Sequence, residues 1–231
     1  MSGPPLDESN RTDTSEPSEE IASRVLAYYD RIKNRRSVRE FSSQPVPKEA
    51  IEAALSAANS APSAANQQPW HFVYISDPEI KQKIRHAAEV DENPLYGKNA
   101  GDAWLHDQTP LGKVEDKAFF EDAPWIIAVF YEWHDNTKEK SRLEQHYTAE
   151  SAGIATGFLI NALHAAGLST LVHTASPEKQ LNSLLNRPSS EHPFLLLVVG
   201  YALTDDERSE SKAPKKTLTE VSSYFAARRK F

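Results

Sequence analysis

The sequence predicts a mixed fold, α/β or α+β, on three observations. Helical and strand-like segments alternate along the chain, two short runs are continuously apolar, and one long helical segment is apolar nearly all round. The 231 residues suffice for one substantial core. We expect residues 21–231 to form a single domain.

Residues 1–20 are polar, acidic and Pro-containing, with no apolar core of a secretion signal. They are expected to form a disordered acidic tail. No run of about 18 apolar residues occurs anywhere, so we expect no membrane span and a cytoplasmic protein. Helical spacing begins at residues 21–33. Residues 47–58 read as an amphipathic helix with Ile51, Ala54, Leu55 and Ala58 on one face. Residues 71–75 read as a strand. Asp77-Pro78 then supplies an N-cap and a first-turn proline for another helix. Residues 91–115 are polar and hold Gly97, Gly101 and Gly112, which suggests a mobile surface segment. Residues 125–131 are apolar throughout, as in a buried strand.

The helix over residues 147–166 has small residues at Ser151, Ala152, Ala155 and Thr156 that would let another helix approach closely. It suits a core helix or one packed in a subunit interface. Residues 170–173 form a short strand, Ser176-Pro177-Glu178 opens a helix to about residue 186, and residues 194–201 give a second continuous apolar strand. The polar tail 204–231 still carries Leu218, Val221, Tyr224 and Phe225, spaced as anchors for an arm laid on a neighbouring subunit.

Several chemistries are excluded. Without cysteine there is no disulfide, thiolate nucleophile or Cys-ligated metal. A net charge of −7 disfavours nucleic acid as a partner. No Gly-x-Gly-x-x-Gly turn, P-loop, Gly-x-Ser-x-Gly elbow or His-Glu-x-x-His pair occurs, and the eight histidines lack metal-ligand spacing.

Arg35-Arg36-Ser37-Val38-Arg39 stands out against this acidic background. Its planar, permanently charged donors and its hydroxyl suit a phosphate dianion, although a solvated charge run has the same composition. About twenty residues later comes Ala61-Pro62-Ser63-Ala64-Ala65-Asn66-Gln67-Gln68-Pro69-Trp70, a small-residue loop able to bring backbone donors close to a flat polar ring.

These two motifs together resemble the nitroreductase family, over residues 27–218. The resemblance implies an α+β fold with a central, mixed but mostly antiparallel sheet flanked by helices. It also implies an intertwined homodimer with FMN at the subunit interface. Glu92, Tyr96 and Lys117 resemble the substrate lid of the family's iodotyrosine deiodinase branch, here at about residues 91–118, and Trp104 matches a lid tryptophan. Glu92 and Tyr96 are four apart, and Lys117 follows 21 residues later. An anion, a phenol and a cation can together recognise an amino-acid zwitterion.

The resemblance then implies the remaining roles. Arg35, Arg36, Ser37, Val38 and Arg39 hold the flavin phosphate, with Lys215 where the family usually has arginine. Pro62, Ser63, Ala64 and Asn66 flank the flavin, and the Ala65 N–H receives the substrate phenolate oxygen. Val172 and His173 lie on the flavin edge, and the Thr174 hydroxyl meets flavin N5. The implied reaction is FMN-dependent loss of halide from a halogenated tyrosine, with NAD(P)H or a reductase partner as electron donor. A NAD(P)H-dependent nitroreductase or quinone reductase is the alternative within the family, and a non-enzymatic flavin-binding protein the alternative outside it. One departure is expected to matter: Asn93-Pro94 should interrupt the lid helix, because the residue before proline avoids αR, leaving Asp91 to substitute for Glu92.

Overall fold

The computed structural model describes residues 18–96, 117–132, 147–175, 177–203 and 215–225. The chain divides into two compact units, residues 1–35 and 36–231. The first contains helix α1 (Ser18–Ile32), with Glu19 and Glu20 in its first turn and Arg31 in its last, the charge order that the helix dipole favours. Helix thus starts inside the segment expected to be a tail. Residues 1–17 lie outside the described residues. Ile21, Val25, Leu26, Tyr28 and Tyr29 on α1 are all exposed.

The second unit is built on β1 (Phe41–Ser42), β2 (Trp70–Ile75), β3 (Trp125–Glu132), β4 (Ser169–Thr174) and β5 (Glu191–Ala202). Its helices are α2 (Lys48–Asn59), α3 (Pro78–Tyr96), α4 (Phe119–Asp122), α5 (Thr148–Ala165), α6 (Glu178–Leu184) and α7 (Leu218–Val221). β5 pairs with β3 along one edge and β4 along the other, and β2 pairs with β3, so the sheet runs β2-β3-β5-β4. β1 joins β5 at its end, with Phe41 opposite Ala202. All four strand pairings are antiparallel, and a lone parallel bridge joins Ser37 to Thr170. Antiparallel ladders with helices on both faces make this an α+β fold, which closes the choice left by the alternation of elements.

The two continuous apolar runs became β3 and β5, the central strands. Residues 125–130 are buried without a break, because helices cover both faces. One face packs Ile126, Ala128, Phe130, Leu196 and Val198 against Ile84 and Ala88 of α3, Phe119 and Phe120 of α4, and Leu181 of α6. The other packs Ile127, Leu197 and Val199 against Ile51, Ala54 and Ala58 of α2 and Leu159 and Leu163 of α5. Emptying a fully buried site such as Phe130 would cost about 3–5 kcal/mol. Pro193, which cannot donate to a ladder, sits beside a register shift between Val129 and Phe130.

Two local features fix the frame. Asp77 caps α3, its Oδ1 accepting from the N–H groups of Glu79 (2.8 Å) and Ile80 (3.1 Å). Gly200 allows a close crossing: a Cβ there would lie 2.7 Å from Pro124 Cδ and 3.2 Å from Phe41 Cδ1. The expected break at Asn93-Pro94 does not occur, and the backbone of α3 stays helical to Tyr96. Proline removes one N–H and crowds the carbonyl four residues back. The preference of the preceding residue against αR is weaker than the continuity of a 19-residue helix.

Candidate functional site

The loop after α2 holds three of the five non-glycine residues at positive φ among the described residues. Residues 64–66 form a single 3-10 turn, with Ala65 at φ 49°, ψ 25°. Asn66 and Gln68 follow at φ 55° and 50°. Asparagine tolerates the left-handed region, whereas alanine pays about 1–2 kcal/mol for it. Such a conformation persists only where its surroundings over-determine it.

Here they do, and the turn's amides can be accounted for individually. Asn66 N–H donates to Ser63 O and Gln67 N–H to Ala64 O, both at 3.1 Å. Gln68 N–H donates to Ser63 Oγ at 2.9 Å. Ala64 N–H reaches Ser151 Oγ on α5 at 3.5 Å. Within 64–68 that leaves the Ala65 N–H with no acceptor among the described residues, on an exposed residue. The turn also borders a cavity of about 250 Å³ lined by Pro62, Ser63, Ala64, Tyr147, Glu150, Ser151 and Ile154.

The basic segment lies elsewhere on the sheet. The Ser37–Thr170 bridge, with Val38 N–H donating to Thr170 O at 3.2 Å, ties the segment to the edge of β4. Arg36, Ser37, Val38 and Arg39 are half-buried along this edge. Arg35 closes the N-terminal unit, its N–H donating to Ile32 O at 3.0 Å. Further along β4, Val172 and Thr174 are exposed, while His173 is half-buried with its ring edge-on to Phe120 at 5.1 Å. His173 Nδ1 also lies 2.8 Å from Thr174 O. Lys215 is exposed.

The predicted cofactor residues therefore fall into two groups. The turn at 62–66 leads into β2, whereas Arg36–Arg39 and Val172–Thr174 lie at β4, with β3 and β5 between. Strand spacing alone separates the two edges by about 14 Å.

Lys117 leads into α4, and its side chain is 4% exposed, whereas a surface lysine was the ordinary expectation. A charged cluster holds it beside α3. Arg85 Nε donates to Glu89 Oε1 (2.8 Å) and its Nη1 to Glu121 Oε1 (2.9 Å). The Lys117 N–H reaches Glu89 Oε1 at 3.4 Å. The Arg85 hydrogen bond holds the Glu89 carboxyl below the usual carboxylate range, against the opposing effect of burial. Lys81, 6% exposed, clamps the end of α4 by donating to Glu121 O (2.9 Å) and Ala123 O (2.8 Å), and burial pushes its ammonium pKa down. α3 continues from Glu89 through the positions of Glu92 and Tyr96. The side chains of Glu92 and Tyr96, and Trp104 within 97–116, lie outside the described residues.

Sequence reasoning missed Ser151, Glu150, Tyr147 and Ile154 as cavity-lining groups. Ser151 had been read as a small residue for helix approach. The helix carries three buried hydroxyls, Thr148, Ser151 and Thr156, so residue type alone did not single out Ser151.

The antiparallel sheet flanked by helices is a fold shared with known proteins. The chain belongs to the nitroreductase family, whose model matches residues 32–201. More particularly, it is 44% identical to an iodotyrosine deiodinase of Haliscomenobacter hydrossis over 84% of this chain and 90% of that one. It is 35% identical to an iodotyrosine deiodinase of Nematostella vectensis, covering 82% and 72% of the two chains. Among solved structures it resembles an oxidised iodotyrosine deiodinase bound to FMN and 3-iodo-L-tyrosine, with TM-score 0.71 and 30% identity over 87% of this chain and all of that one. Among the described residues no helix is long and apolar enough to cross a membrane.

Proposed function

We propose that this chain is an FMN-dependent reductive dehalogenase that converts a halogenated tyrosine to tyrosine and halide. The observation that carries the reading is the Ala65 amide, which has no acceptor among the described residues and belongs to an exposed residue of a strained turn. A phenolate oxygen is the acceptor that such a donor suits, since charge-assisted bonds are the stronger ones.

The donor chemistry of the chain fits FMN. Half-buried Arg36, Ser37 and Arg39, with Arg35, Val38 and Lys215, would hold the phosphate. Pro62, Ser63, Ala64, Asn66, Val172, His173 and Thr174 would flank the ring, with the Thr174 hydroxyl at N5. When bound, the flavin supplies the electrons that expel halide from the ring. The protein's own residues bind and orient the substrate. Glu92 takes the ammonium group, Lys117 the carboxylate, Tyr96 adds a hydrogen bond, and the Ala65 N–H takes the phenolate. Burial of Lys117 favours this use, because a desolvated ammonium attracts a carboxylate more strongly than an exposed one does. Closure of the segment at about 91–118 over the zwitterion would exclude water.

The separation of the two cofactor groups supports a homodimer in which each flavin takes one group from each subunit. Ile154 and Phe158 of α5, and Leu218, Val221, Tyr224 and Phe225 near the C-terminus, are exposed apolar residues available to the partner. Residues 21–231 would then act as one FMN-binding domain, in the cytoplasm, with NAD(P)H or a reductase supplying electrons.

The test is turnover of 3-iodotyrosine by the dithionite-reduced protein, with iodide measured directly. Stoichiometric iodide release supports the reading. Ready reduction of nitroaromatics without iodide release would assign the chain to a nitroreductase instead.

A further inference from the structure

α5 is rich in apolar residues, and three of its polar side chains behave in two ways. Thr156 Oγ1 donates back to Ala152 O at 2.7 Å, and Asn161 Nδ2 to Gly157 O at 2.9 Å. These bonds satisfy the side chain within its own helix. Ser151 does neither. Its hydroxyl, on a residue only 3% exposed, accepts the Ala64 N–H from across the cavity. Every other amide bond within residues 64–68 closes on Ser63 or Ala64, so Ser151 is the one tether that anchors these amides to the helical layer among the described residues.

From this geometry we infer that Ser151 is a positioning residue for recognition of the substrate's ring oxygen. The inference rests on the assignment of the Ala65 N–H as donor to that oxygen. The peptide plane joining Ala64 to Ala65 carries that N–H at one end. Its other end, the Ala64 carbonyl, accepts from Gln67 N–H at 3.1 Å. Rotation of the plane about Ala64 would swing the Ala65 N–H away and return alanine to a relaxed conformation. The Gln67 bond opposes that rotation, while Ser151 holds the preceding peptide plane through the Ala64 N–H and so fixes the Cα from which the Ala64–Ala65 plane turns. The tether runs from the face of α5 that also bears exposed Ile154, three positions on. A shift of α5 would therefore be felt directly by the donor.

The experiment compares two ligands on the FMN-loaded full-length protein: 3-iodotyrosine, and 3-iodophenylalanine, which has the same zwitterion and halogen but no ring oxygen. Dissociation constants are read from flavin fluorescence for the native chain and for Ser151→Ala. The native chain should prefer 3-iodotyrosine. Ser151→Ala should cut that preference about two- to threefold, as expected for one long hydrogen bond, with binding of 3-iodophenylalanine to the FMN-loaded protein unchanged. If the native chain shows no preference, the Ala65 assignment itself fails. If it shows one that Ser151→Ala leaves intact, or if the variant weakens both ligands equally, Ser151 has only a packing role and the inference is overturned.

Discussion

The turn at residues 62–68 and the edge of β4 offer ligand-binding groups by opposite means. At β4 the backbone is regular. Six residues pair in register with β5, the bridge from Ser37 adds the basic segment, and the proposed recognition is by side chains. At the turn the proposed ligand group is the backbone itself, held at positive φ by hydroxyl and carbonyl acceptors. A ladder tolerates changes of side chain and fails when its spacing is altered. A strained turn tolerates little, but it can aim a single N–H with no side-chain entropy to lose.

The largest way to break this contrast is at the basic edge. Arg39→Ala should lower FMN affinity about tenfold or more, the worth of a charge-assisted hydrogen bond, in fluorescence titration of the apoprotein. It should leave the unfolding midpoint nearly unchanged. Next comes the spacing of the sheet. Gly200→Ala introduces a Cβ 2.7 Å from the Pro124 ring and should destabilise the fold by about 1–3 kcal/mol in urea unfolding. Unchanged stability there would mean that the Pro124 crossing yields readily.

The turn should respond in the other direction. Ala65→Gly removes the cost of the left-handed conformation and should stabilise the protein by about 0.5–1 kcal/mol. The same change should weaken halotyrosine binding modestly, because a looser turn aims its N–H less well. Loss of stability would show that the Ala65 methyl group contributes more by packing than it costs by strain.

The smallest effect concerns acid. Glu89 has its pKa depressed in the folded state by Arg85, so its stabilising contribution is fully present above the unfolded carboxylate value of 4.5. That contribution is lost as pH falls through the lower, folded-state pKa. Unfolding of native and Glu89→Gln proteins, measured from pH 7 to pH 3, should show a stability gap that narrows below pH 4.5. A gap constant with pH would make the Arg85–Glu89 pair electrostatically neutral.

Much of this was legible in the residues. The runs at 125–131 and 194–201 read as apolar strands, the first as a buried one, because burial on both faces demands unbroken apolarity. Asp77-Pro78 announced the start of α3 because capping is local chemistry. The two cofactor motifs could be read as motifs, but their separation by β3 and β5 could not, since strand order follows from pairing between distant segments. Alanine at positive φ runs against its intrinsic preference, so nothing local foretold Ala65. Pro94 misled for the complementary reason, because a local rule yielded to the surrounding helix. Ser151 was visible as a small residue, yet its partner lies 87 positions away, which periodicity cannot report.

The position of β5 has a consequence for how the chain acquires its shape. β1, β3 and β4 all pair with β5, and Phe41 finds its partner only at Ala202. On a ribosome, the β2–β3 pair is the one described ladder that can form before residue 191 emerges. Until then β3 and β4 each present a bare edge to the cell, in the high-contact-order situation that slows folding and invites aggregation. Premature termination anywhere before β5 should therefore yield a fragment that depends on chaperones rather than a smaller version of the domain.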